Sequence, residues 1–182
     1  MSLEHKVSTT SESPTRPKVI DILAVFDVAA ILGKHENPSQ NSDDPTEIES
    51  ADIHPFSPRG GAVSEFGELV LEAAPGDYLR WRATALPFDD EYSVLIYRCF
   101  DGSGATSEFE HLLNLVLLPR LKGDPHEEGG FDTELATDQV SAMRLAATGN
   151  PFVRLDFEII KGDEVVGYFS WNLGLIIPVP SP

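Results

Sequence analysis

The chain is poor in cysteine, in positive charge and in long apolar runs, and each shortage excludes something. One cysteine, Cys99, stands among 182 residues, so no internal disulfide can form and the core must hold without one. Lys and Arg number 13 against 30 Asp and Glu, a formal charge of −17. Such a surface repels phosphate backbones and anionic lipid heads, which argues against nucleic acid or a membrane as partner. No apolar run approaches the roughly 20 residues of a membrane span. The opening MSLEHKVSTTSESPTRPK lacks an apolar h-region, so no signal peptide is expected and the cytoplasm is the expected location. No segment repeats at a period of 20–50 residues.

What is present is a chain of ordinary hydrophobic content, 41%, long enough for a substantial core. Residues 1–17 are Ser/Thr/Pro-rich and read as a disordered arm, residues 179–182 as a tail, and 18–178 as one domain. The β-branched run Val19 to Phe26 reads as a strand buried on both faces. Asp27 can cap a short helical turn over Val28–Leu32, stopped by Gly33. Strand signals recur around Phe66–Leu71, Tyr78–Ala85, Ser93–Phe100, Val140–Ala147, Val153–Lys161 and Glu164–Trp171. Turn residues separate them: Pro75-Gly76-Asp77, Pro87-Phe88-Asp89-Asp90 and Gly162-Asp163. Between them, Phe109, Leu112, Leu113, Val116 and Leu117 fall at helical spacing, which favours a helix within 106–121, although Leu115 and Leu118 spoil its polar face and leave a strand open. About eight strands without βα alternation predict an all-β antiparallel sandwich, Greek-key or jelly-roll-like, with one or two short helices.

Two polar loops, 35–58 and 123–139, carry six carboxylates each and no Lys or Arg. Their oxygens suit a hard cation, and Asp43, Asp44 and Glu47, or Asp89, Asp90 and Glu91, are the candidate Ca²⁺ ligands. Neither set has EF-hand spacing, and solvated surface charge is the simpler account. His35, His54 and His126 lie in the same loops but form no zinc motif. Cys99, flanked by apolar strand residues, reads as a buried and inert thiol. No nucleophile elbow or P-loop occurs, so no catalytic and no cofactor-binding residue is assigned. Trp81 and Trp171 lie in strands, where packing is the ordinary use; exposed between loops, either would suggest a glycan-binding face.

Ordered motifs carry a resemblance. Val19-Ile20-Asp21-Ile22-Leu23-Ala24-Val25-Phe26-Asp27, Asn37-Pro38-Ser39, Ser57-Pro58-Arg59-Gly60, Gly67-Glu68-Leu69, Pro75 through Thr84, Asp89-Asp90 before Val94-Leu95-Ile96-Tyr97, and Val166 through Asn172 together resemble the bacterial AidA/PixA inclusion-body protein family. The match covers most of residues 18–178. The resemblance implies a small, mostly β, non-enzymatic accessory protein, under quorum-sensing or growth-phase control, that gathers in cytoplasmic inclusions. It supplies no catalytic residues. Only Met1 and Met143 are methionines, which speaks against the storage role that Met-rich members suggest. Self-association is therefore expected, with a glycan or host factor as a further ligand; the alternative is a carbohydrate- or calcium-binding β-sandwich module.

Overall fold

The computed structural model describes residues 16–58, 61–64, 67–86, 91–101, 109–121, 131–145 and 152–178. Residues 1–15 of the expected arm 1–17, the expected tail 179–182, and Asp89 and Asp90 lie outside them. In chain order the elements are β1 (Val19–Asp27), α1 (Val28–Lys34), β2 (Thr46–Ile48), a 3-10 turn (Ser50–Asp52), β3 (Ile53–Phe56), β4 (Gly61–Val63) and β5 (Leu69–Leu71), then β6 (Tyr78–Leu86), β7 (Tyr92–Asp101), β8 (Phe109–Leu121), β9 (Phe131–Arg144), β10 (Phe152–Lys161) and β11 (Glu164–Ile176).

Two sheets form a sandwich. The first runs β3-β1-β6-β9-β8 and the second β4-β5-β11-β10-β7, with β2 on β11. The sheets are mixed rather than antiparallel throughout. β1 pairs parallel with β6 from Val19↔Tyr78 to Asp27↔Leu86, and β11 pairs parallel with both β2 and β5. Asp21 and Arg80 lie opposite each other in the β1–β6 register and form a two-pronged ion pair, with Arg80 Nη2 2.8 Å from the carboxylate. Such a fork fixes register as well as adding attraction.

Alternation decides which face goes inward. Along β1, Ile20, Ile22, Ala24 and Phe26 are buried while Asp21, Leu23 and Val25 are only half-covered, so this strand has one core face rather than two. Val153, Leu155, Phe157 and Ile159 of β10 and Phe169, Trp171, Leu173 and Leu175 of β11 face it from the second sheet. Phe26 meets Phe157 at 4.5 Å between ring centroids and Trp171 at 6.5 Å, and Phe157 stacks on Phe169 at 5.6 Å. Each such fully buried side chain stabilises the fold by about 1.5–3 kcal/mol. Asp27 caps α1, accepting from the Ala30 N–H at 3.0 Å.

Two further expectations are corrected. Residues 109–121 are a strand, and 131–139, expected to be loop, form the first part of β9, which pairs with β8 from Phe109↔Met143 to Leu121↔Phe131. A strand that is apolar on both faces mimics helical spacing, and only its distant partner distinguishes the two.

Candidate functional site

The densest polar arrangement among the described residues lies on the outer surface of the second sheet, where the 37–48 segment crosses it. That segment runs along the free edge of β11: Ser39 bridges Tyr168, and β2 pairs from Phe169↔Thr46 to Trp171↔Ile48. Its tip is a tight turn in which Asn41 accepts from the Asp43 N–H through its side chain and from the Asp44 N–H through its carbonyl. Pro38 sits directly on Gly167, where an added Cβ would come within 2.6 Å of the proline ring. Gln40 donates to the Val166 carbonyl at 2.8 Å.

A register shift in β7 receives the tip. Asp156 of β10 pairs with Arg98 and Phe157 with Ile96, so Tyr97 is the extra residue of a bulge. The bulge sends two consecutive side chains to one acceptor. Tyr97 Oη donates to the Ser42 carbonyl at 2.9 Å, and Arg98 Nη2 donates to the same oxygen at 2.6 Å. Beneath them Asp156, whose side chain has 0% exposure, accepts from Arg98 Nε at 3.0 Å and from Arg154 Nε at 2.7 Å. Arg98 also reaches the Asp43 carboxylate at 3.3 Å. Burying a carboxylate is costly unless its oxygens are paired, and both are.

The electrostatics follow from this packing. Burial raises the Tyr97 hydroxyl above its ordinary value, and the Asp156 charge raises it further. For Arg98, burial works against the cation, but the charge and hydrogen bond of Asp156, with Tyr97 and Asp43, together outweigh it, and the guanidinium is held charged more firmly than usual. Glu158, two residues along β10, is raised by burial. Two guanidinium groups face two carboxylates, so the charge is satisfied internally. The arrangement works as a clamp on the loop.

Elsewhere the candidate residues are dispersed. The Asp43 carboxylate is 83% exposed and, among the described residues, pairs only with Arg98. Asp44 is exposed, Glu47 accepts from Asn172 Nδ2 at 2.7 Å, and Glu91 pairs with Lys161 at 2.7 Å. Among the described residues no three His, Cys, Asp or Glu side chains gather to hold a metal ion. Trp81 and Trp171 are both 0% exposed, so neither indole presents a glycan-binding face. Trp171 Nε1 donates to Ser50 Oγ at 3.0 Å, while Trp81 Nε1 is buried without a partner among the described residues. His35 packs edge-on against Phe169, His54 is exposed on β3, and His126 lies outside the described residues. Cys99 is buried with its Sγ 3.5 Å from Met143 Sδ; burial, then the Asp156 charge, pushes its thiol up to about 12. The Arg98–Asp156–Arg154 clamp was not singled out from the sequence. Its only sequence signal is an acid and a base at mid-strand positions between apolar neighbours.

The family model for the PixA inclusion body protein matches residues 18–177. The chain belongs to the PixA inclusion body protein family. Eleven chains of solved structures match it. One is the crystal structure of a PixA inclusion body protein from Burkholderia cenocepacia J2315, 24% identical, with a TM-score of 0.68 over 92% of this chain and 99% of that one. No curated protein matches the chain. The PixA match and the crossing segment coincide: the loop, the bulge and β11 all fall inside the matched span.

Proposed function

We propose that this PixA-family protein is a non-enzymatic component of bacterial cytoplasmic inclusions, produced at high cell density, and that it acts by associating with copies of itself. The observation that carries the reading is the family match across residues 18–177. The clamp supports it, because the best-organised charged groups among the described residues are spent on holding a loop. A catalytic pair would instead leave an acid or base free to meet a substrate.

Association has an electrostatic condition. Copies carrying −17 each repel one another, and the repulsion weakens with salt, with divalent cations, and on acidification towards the pI of about 4.4. Light scattering of the purified chain should therefore report larger particles under each of these conditions, and cells overproducing it should show dense bodies by electron microscopy. A protein that stays monomeric across all three titrations and disperses evenly in the cell would overturn the reading.

A further inference from the structure

The ribbon of β8 and β9 outruns the sheet that anchors it. β6 pairs with β9 only between Ser141 and Arg144, while β8 continues to pair with β9 out to Leu121↔Phe131. From Leu112↔Val140 onward, no third strand joins the ribbon among the described residues. At about 3.3 Å per residue this two-stranded stretch is about 30 Å long. Two strands alone are marginal in water, and a third adds the hydrogen bonds and packing they lack. β8 ends its sheet, so its outer edge is a row of backbone donors and acceptors with no strand partner among the described residues. Pro119, which has no N–H to give, is of the kind that strand edges admit.

Charge points to what joins that edge. In a chain of −17, β8 carries a single acid, Glu110, and, besides His111, a single base, Arg120, one near each end. Two copies of β8 laid antiparallel about Leu115 would set Glu110 of each opposite Arg120 of the other. Leu113 would then stand opposite Leu117, and Arg120 would lie between Glu110 of the second copy and Asp132 of its own β9, its register partner. Opposite charges at facing positions favour that register and like charges oppose it. The contact uses the same edge twice and closes on itself as a two-fold dimer.

We propose that the outer edge of β8 is the surface through which two copies of this chain join, antiparallel and centred on Leu115, merging two ribbons into one four-stranded sheet. This rests on the self-association reading above. It is tested on the full chain under conditions where the wild type associates. Glu110→Lys and Arg120→Glu each place like charges together at both ends of the contact, and each should weaken dimerisation by about tenfold or more. The double variant restores the complementarity between copies with the wild-type net charge, and should dimerise more tightly than either single variant, although its acid at position 120 then faces Asp132 of its own β9. Sedimentation velocity reads the dimer, and circular dichroism reads the fold. As a second measurement, Leu115→Cys should yield a disulfide-linked dimer on mild oxidation, with buried Cys99 unreactive. If the wild type associates while both single variants match it, the double stays as weak as the singles, or Leu115→Cys fails to crosslink, the β8 assignment falls and self-association stands. A wild type that remains monomeric throughout removes both.

Discussion

Replacing Asp156 by Asn isolates the clamp, because the side chains are nearly the same size and only charge and one acceptor change. In the native protein the carboxylate has 0% exposure and accepts from Nε of both Arg98 and Arg154. A hydrogen bond to a charged group contributes about 1.5–3 kcal/mol. The asparagine can keep one such acceptor in neutral form, but its amide must then face a guanidinium. Breaking a fully buried pair would cost about 3–5 kcal/mol. Arg98 and Arg154 are one-third to two-fifths exposed, so water recovers part of their loss. The expected cost is therefore about 2–4 kcal/mol, a fall in Tm of roughly 5–15 °C for a domain of this size. Urea denaturation measures it, with Asp43→Asn as the control. The Asp43 carboxylate is 83% exposed and, among the described residues, pairs only with Arg98, so its loss should stay within about 0.5 kcal/mol. Hydrogen exchange adds a local reading: amides of 39–48 should lose protection in Asp156→Asn ahead of those in β10. A cost below about 1 kcal/mol, or equal costs for the two variants, would refute the view that buried charge holds the loop.

Three further outcomes follow from the same surface and its underside. Gly167→Ala should destabilise by about 1–3 kcal/mol in urea, since the new methyl meets the Pro38 ring at 2.6 Å; a neutral result would mean that Pro38 moves freely. Glu158 is raised by burial, so the native state binds its proton more readily than the unfolded chain. Stability from this group is present in acid and is lost as pH rises through its native titration. Glu158→Gln should accordingly raise Tm at neutral pH and bring no gain below the ordinary carboxylate range, and equal Tm differences at pH 4 and pH 7 would contradict this. Cys99, with its thiol pushed up to about 12 by burial, should resist iodoacetamide at pH 8 in the folded protein and react in urea; rapid labelling of the native chain would show that the core opens there.

How much of this was legible in the sequence differs from element to element. The β10–β11 hairpin is plain: Val153, Leu155, Phe157 and Ile159 alternate with polar residues, and Gly162 takes the positive φ of +59° that the turn needs. The short helix after Asp27 is equally local, because its cap lies beside it. β8 is not local. Its leucines satisfy both a helical and a fully apolar strand pattern, and the choice belongs to β9, across residues 122–130, which lie outside the described residues. The parallel pairing of β1 with β6 has the same character: Asp21 and Arg80 are fifty-nine positions apart, and nothing near either one indicates the other. Trp81 and Trp171 lie in readable strands, and alternation with Leu79 and with Phe169 and Leu173 puts both in the core.

The clamp was hidden for a different reason. Asp156 occupies an outward position in an alternating strand, where an acid ordinarily meets water. Its burial comes from a loop more than a hundred residues earlier, and its alignment with Arg98 depends on a bulge that no alternation pattern reveals. Several of the short motifs behind the family resemblance meet in the same region. Pro38 rests on Gly167, Ser39 bridges Tyr168, Glu47 holds Asn172, and Ser50 accepts from Trp171. At the other end of β1, Asp77 accepts from the Lys18 and Ala74 N–H groups. Apart from the local Ala74–Asp77 bond, these contacts join segments distant in sequence. Residues so engaged close the fold, which agrees with the proposed reading that the chain acts through what its strand edges can join. That reading directs the first experiments to the β8 edge.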